Sequence, residues 1–233
     1  DDTYYDILLL HAAKYYRRLD QRSCQRLGEK NMKIAVLKDA GCIKLEERPI
    51  PEIEEDEMLI RMLVCGTCMS EYPEWRSGEP LGKVFGHEPV GVVVKSGANI
   101  KKFKPGDRVT GLFKNDFAEY TVSTEELATL VPEELEDVEA IGEPWSCLVS
   151  GAERIPVKLG DTVAIIGCGY MGLGVMQLMS IKGAGKIIAI DTREESLKFS
   201  QKSGADEIYK PDEIPDEYIV DQWNGEMFSR GVD

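Results

Sequence analysis

Histidine is almost missing: the 233-residue chain has two, so a site that needs an imidazole has very few candidates. Positive charge is scarce as well, with 28 Lys and Arg against 42 Asp and Glu, a formal charge of −14 and a pI near 4.7. Such a surface repels a phosphate backbone and argues against nucleic acid as a partner. No apolar run approaches the ~20 residues that cross a bilayer, so no membrane span is expected. The one early apolar stretch, Ile7 to Ala13, has acids before it and bases after it, which argues against a secretory signal. Cysteine is limited to six residues, at 24, 42, 65, 68, 147 and 168, too few to staple a secreted scaffold of this length. Reduced thiols and a cytoplasmic setting are expected. Internal repeats and low-complexity tracts are absent.

What the chain does have is apolar content, 42%, and 22 glycines, enough for a buried core in one large or two modest domains. Residues 1–31 read as a helical extension: Thr3 and Asp6 make a capping box, no proline intervenes, bases from Lys14 to Arg26 gather toward the end, and Gly28 can stop it. From Met32 the texture changes to short β runs, Met32–Leu37, Met58–Val64, Pro89–Lys95, Arg108–Gly111 and Phe117–Val122, with the acidic stretch Pro51–Glu57 as a solvated loop. This predicts an irregular antiparallel β domain. From about Cys147 the pattern alternates: strand Thr162–Ile166, helix Tyr170–Lys182, strand Lys186–Ile190, helix Glu194–Lys202. Alternation of that kind predicts a parallel α/β unit.

Between the first of those strands and the first helix lies Gly167-Cys168-Gly169-Tyr170-Met171-Gly172, and Asp191 closes the next strand nineteen residues further on. Gly167 permits a tight turn, Gly169 lets backbone amides approach a pyrophosphate, Gly172 lets helix pack on strand, and the helix start favours negative charge. Three glycines alone mark only a turn. Set between a strand and a helix, with an acid at the ribose distance, they predict dinucleotide binding. The Asp191 carboxylate can accept the ribose hydroxyls and repels a 2′-phosphate, which favours NAD over NADP. Arg193 can stack on adenine or stand solvated, with nothing in the sequence to choose between them.

Cys65 and Cys68, spaced Cys-x-x-Cys, are compatible with a redox pair, half of a structural zinc site or two packed thiols. The remaining cysteines lack the close spacing a four-cysteine site needs. His87, in Gly86-His87-Glu88, follows nineteen residues after Cys68 and is the obvious second ligand for a metal. Catalytic zinc takes three protein ligands and keeps one position open, and Glu143 and Glu88 are the candidates for the third. Glu143 could equally be an acid that leads a helix.

Together these segments resemble the zinc-dependent alcohol, polyol and threonine dehydrogenase branch of the medium-chain dehydrogenase/reductase superfamily. The resemblance runs from Met32 to Asp233 on Val64-Cys-Gly-Thr-Cys-Met-Ser-Glu71, Phe85-Gly-His-Glu-Pro-Val-Gly91, Lys104-Pro-Gly-Asp-Arg-Val109, Phe117-Ala-Glu-Tyr120, Gly142-Glu-Pro-Trp-Ser146 and the Gly167 loop. It implies an α/β fold: a GroES-like irregular β-barrel domain over 32–149, then a partial Rossmann dinucleotide-binding domain over 150–233. It also implies Cys68, His87 and Glu143 as ligands of one catalytic zinc, with Glu88 beside the metal and able to exchange onto it. Ser70 takes the place of the residue that bonds the substrate hydroxyl, and Glu71 that of the acid that orients the metal histidine. A hydride then passes between an alcohol and NAD.

Three departures from the family pattern shape the expectations. Gly111 to Phe117 is a tight connection where many relatives carry a structural zinc lobe, so no second zinc is expected. Pro73 stands where some relatives extend a proton relay with histidine. The chain also stops where a fourth strand of the nucleotide domain would begin, predicting half a cofactor site and an unpaired edge near Glu207–Tyr209. A small-molecule alcohol and a second copy of the chain are the expected partners. The alternatives are a zinc-free quinone or enone reductase of the same superfamily and a non-catalytic binding or assembly subunit.

Overall fold

The computed structural model describes residues 30–218. Most of the expected N-terminal helix therefore lies outside the described residues, and Asn31, its last expected residue, opens a strand instead. β1 (Asn31–Asp39) and β2 (Cys42–Pro49) form an antiparallel hairpin around Ala40-Gly41, where Gly41 takes the positive φ of 67° that the turn demands. Met32, Ile34 and Val36 of β1 alternate inward to a small core with Val84 and Ala118, as period-2 side chains on a half-buried strand must.

The main β domain is a five-stranded antiparallel sheet in the order β6-β3-β4-β5-β7. Its strands are β3 (Glu57–Gly66), β4 (Glu88–Ser96), β5 (Arg108–Gly111), β6 (Tyr120–Thr124) and β7 (Ala128–Leu130). Alternation on β3 sends Met58, Ile60 and Met62 into a core shared with Val93, Phe103, Val109 and Phe113. The long β3–β4 pairing ends at Gly66↔Glu88, which brings the chain beyond β3 and the chain before β4 to the same end of the sheet. A short helix α1 (Tyr72–Ser77) follows β3, stopped by Gly78 in the left-handed region.

Helix α2 (Glu143–Arg154) leaves the β domain and runs through the expected junction at 149/150. Beyond it lie β8 (Thr162–Ile166), α3 (Tyr170–Ile181), β9 (Lys186–Ile190), α4 (Glu194–Lys202) and β10 (Glu207–Tyr209). The three strands are parallel in the order β10-β9-β8, each helix crossing between neighbours. Met176 and Met179 of α3 are fully buried against Ile165, Ile187 and Ala189. β10 does lie at an edge, but the apolar edge is the opposite one: Ile166, the last residue of β8, is 81% exposed. The expectation named the less demanding edge, because β10 is covered by a polar network in which Lys186 pairs with Glu207 and Tyr218 donates to Glu207.

Candidate active site

The end of β3 and the start of β4 converge on one cluster of donors. A Cβ on Gly66 would lie 2.2 Å from Glu88 Oε2, so only glycine lets the Glu88 carboxylate fold across its partner strand. Cys68, two residues on, precedes a 3-10 turn, Met69–Glu71. His87 immediately precedes β4, after Gly86 at φ 98°, where a side chain would also strike the Phe117 amide at 2.6 Å. Ligand atoms of Cys68, His87 and Glu88 then lie within 4.8 Å of one another. Among the described residues this is the one such group of three.

Glu71 ties the turn to the histidine. Its Oε1 accepts a hydrogen bond from the Gly86 amide at 2.7 Å and lies 3.0 Å from His87 Nδ1. A proton held on Nδ1 by that carboxylate leaves Nε2 as the ring's lone-pair donor. Ser70 sits exposed on the same turn, between Cys68 and Glu71.

Glu143, the first residue of α2, stands outside the three-donor group but beside it. Its charge bears on Glu88, whose carboxyl is raised first by burial and then by Glu143, against the lowering effect of the Cys68 thiol. One turn along α2, the Cys147 thiol donates to Glu143 Oε1 at 3.3 Å. Cys65 is a different kind of thiol: it is packed at the end of β3 and donates to its neighbour's carbonyl, and burial, with Asp116 adding to it, pushes its pKa far up. A thiolate ligand there is disfavoured. One thiol, one oriented imidazole and a carboxylate, with further acids close by, form a nitrogen, sulfur and oxygen set that fits zinc with a position left open.

The nucleotide side is built around Asp191. Gly167 turns at φ 89° after β8, and a Cβ on Gly172 would lie 1.9 Å from the Gly167 carbonyl, so helix and loop touch as the sequence requires. Gly169 caps α3, whose first residues Tyr170 and Met171 are exposed. Asp191, only 7% exposed, accepts from the Cys168 amide at 2.7 Å and from the Arg193 amide at 2.8 Å, and Arg193 Nε lies 3.3 Å away. Burial pushes this carboxyl up, yet the Arg193 and Cys168 donors outweigh burial and hold it below the usual carboxylate range. The Arg193 guanidinium reaches toward Gly169 across the mouth of the loop.

Residues 54–133 match the alcohol dehydrogenase GroES-like domain. The chain is 29% identical to sorbitol dehydrogenase of Bacillus subtilis, over 87% of this chain and 67% of that protein. It is 28% identical to D-xylulose reductase A of Aspergillus niger, over 81% of this chain and 63% of that one. A Sinorhizobium meliloti structure described as a zinc-binding dehydrogenase bound to NADP superposes with a TM-score of 0.71 and 26% identity, over 79% of this chain and 63% of that one. The chain thus carries an alcohol dehydrogenase GroES-like domain over residues 54–133 and is similar to zinc-type medium-chain dehydrogenases on both sides of it. It spans about two thirds of the length of these relatives.

One member of this site, Cys147, lay outside the sequence reading. It could have been found from its spacing of one helical turn after Glu143.

Proposed function

We propose that the chain carries the metal site and the adenosine half of the coenzyme site of a zinc-dependent, NAD-linked dehydrogenase acting on secondary alcohols, polyols or hydroxy acids. The observation that carries this reading is the convergence of Cys68, His87 and Glu88 within 4.8 Å, next to Glu143. Cys68, His87 and Glu88 would hold zinc, with Glu143 as the neighbouring acid. A zinc ion bound there supplies a Lewis acid for an alcohol oxygen. Glu71 fixes the ring of His87, and exposed Ser70 is placed to hand a hydroxyl proton outward. On the other side, Gly167 to Gly172 and the start of α3 receive a pyrophosphate, and the charged Asp191 accepts ribose hydroxyls. The same charge disfavours a 2′-phosphate, so NAD is the expected coenzyme although the S. meliloti relative holds NADP. The names of the relatives favour polyols within the substrate class.

The decisive experiment is elemental analysis of the full-length gene product, followed by NADH formation with a panel of polyols, secondary alcohols and hydroxy acids. One zinc per chain and NAD-dependent turnover of at least one panel member are expected. Two firmly held zinc ions, no zinc after metal-replete preparation, or a preference for NADP would refute the corresponding part of the reading.

A further inference from the structure

Thr110 is a buried β5 residue with no place in the metal or coenzyme site, yet its hydroxyl connects the two chain segments that bring acids to that site. Its Oγ1 donates to the Pro89 carbonyl at 2.7 Å and accepts from the Gly142 amide at 2.9 Å. Pro89 directly follows Glu88 on β4, and Gly142 directly precedes Glu143 at the start of α2. The fit is close on the apolar side too: a Cβ on Gly142 would lie 2.8 Å from Thr110 Cγ2. One hydroxyl has one proton to give and lone pairs to receive with, so a single side chain can satisfy both backbone groups at once. Valine has nearly the same shape and would satisfy neither.

We propose that Thr110 is a positioning residue that clamps the Glu88 strand to the Glu143 helix and so sets how the two acids face a metal bound by Cys68 and His87. The inference rests on the metal-site reading above and adds to it the element that holds its two sides together. Glu88 belongs to the β domain, whereas Glu143 opens the helix that leads toward the nucleotide half. Without a fixed tie between them, their separation would follow any shift of α2 against β4. Each backbone group bound by Thr110 is one residue from an acid, so a displacement there passes to the carboxylates with little room for the chain to absorb it. Groups that orient ligands from outside the ligand set change metal affinity by about ten- to a hundredfold when lost.

The test uses the full-length chain loaded with cobalt(II), whose visible ligand-field bands report the geometry of the bound metal. Cobalt affinity is read by chelator competition and compared with the melting temperature of the metal-free protein. Thr110→Val is expected to weaken cobalt binding by roughly ten- to a hundredfold and to change the visible bands, and Thr110→Ser, which keeps the hydroxyl, to restore both. Gly142→Ala provides a second reading should Thr110→Val prove too unstable to load: it keeps the hydroxyl but forces the helix start away from Thr110, and the same spectral change is expected. A Thr110→Val or Gly142→Ala protein that melts lower but binds cobalt with unchanged affinity and bands would overturn the proposal, leaving Thr110 a core contact. Failure of the wild-type chain itself to take up cobalt would overturn the metal reading, and the clamp with it.

Discussion

The β domain and the nucleotide half each bury an aspartate beside their part of the site, and the two acids meet opposite fates. Asp191 is surrounded by donors from Cys168 and Arg193 and stays charged despite its burial. Asp116, 2% exposed on the loop that packs against Phe85 and Gly86, has no hydrogen-bond partner on either oxygen among the described residues. Burial pushes it up to about 7. The lesson is that burial alone does not decide whether an acid is charged; the donors around it do. On the nucleotide side the donors are already in place, as the ribose-binding role proposed for Asp191 needs. On the metal side the acids are crowded without enough partners, which a cation would change.

The contrast is broken most severely by removing one of the proposed metal donors. Cys68→Ser and His87→Ala are expected to bring turnover below detection and abolish tight zinc binding, while the β domain, with its own core of Met58, Ile60, Met62, Val109 and Phe113, stays folded. Cys65→Ser is expected to keep most of the activity, since that thiol is packed rather than poised. Parallel assays of zinc content, circular dichroism and NADH formation check all three. Equal loss of metal at Cys65 and Cys68 would mean that the wrong thiolate has been assigned.

Asp191→Ser sharpens the comparison from the other side, with a smaller effect. Loss of a charge-assisted acceptor for the ribose hydroxyls is worth about 1.5–3 kcal/mol, roughly ten- to a hundredfold in NAD affinity. Removing the repulsive charge should also narrow the preference against NADP. Calorimetric titration with both coenzymes measures the two together. A variant whose NAD affinity is unchanged would show that Asp191 serves the Cys168 loop and not the ligand.

How much of this could be read in advance depended on how local each signal was. The elements Thr162–Ile166, Lys186–Ile190 and Glu194–Lys202 fall where periodicity and punctuation put them, because a buried parallel strand and its crossover helix write both signals into a short stretch. β2 was not anticipated: its charged run Lys44 to Arg48 stays largely exposed, paired only with β1, and leaves no apolar face in the sequence. α1 was missed for the opposite reason, being too short between Pro73 and Gly78 to show a period. In the site, His87 was legible because histidine is so rare here, and Cys68 because it precedes His87 at a family spacing. The resemblance favoured Glu143 as third donor, whereas proximity gathers Glu88; which carboxylate closes the set depends on the β3–β4 register and on Gly66, and neither is visible as a motif. Nothing in a sequence shows that a loop acid such as Asp116 has been pressed into the core.

The smallest expected effect is also the most specific test of the contrast between the two aspartates, because it is read as an opposite dependence on pH. Asp116 has a folded-state pKa raised from 3.8 to about 7, so its contribution to stability is fully present below the unfolded value and is lost as pH rises toward the folded one. Asp116→Asn removes that loss. Its stability advantage over the wild type should therefore widen by roughly 2–3 kcal/mol between pH 5 and pH 7 and stay level above, at about 1.4 kcal/mol per pH unit. Asp191 is lowered, so its contribution is present above the unfolded pKa and lost as pH falls through the folded one. Asp191→Asn should consequently carry a constant penalty from pH 5 to pH 8 that closes only in more acidic solution. Urea unfolding of chelator-treated protein across this range measures both, since a divalent ion near His87 would favour the charged form of Asp116 and mask the effect. Adding zinc back should shrink the Asp116→Asn advantage at pH 7. An advantage that stays constant with pH, or narrows as pH rises, would show that Asp116 is charged and partnered in solution, and the difference drawn between the two halves would not stand.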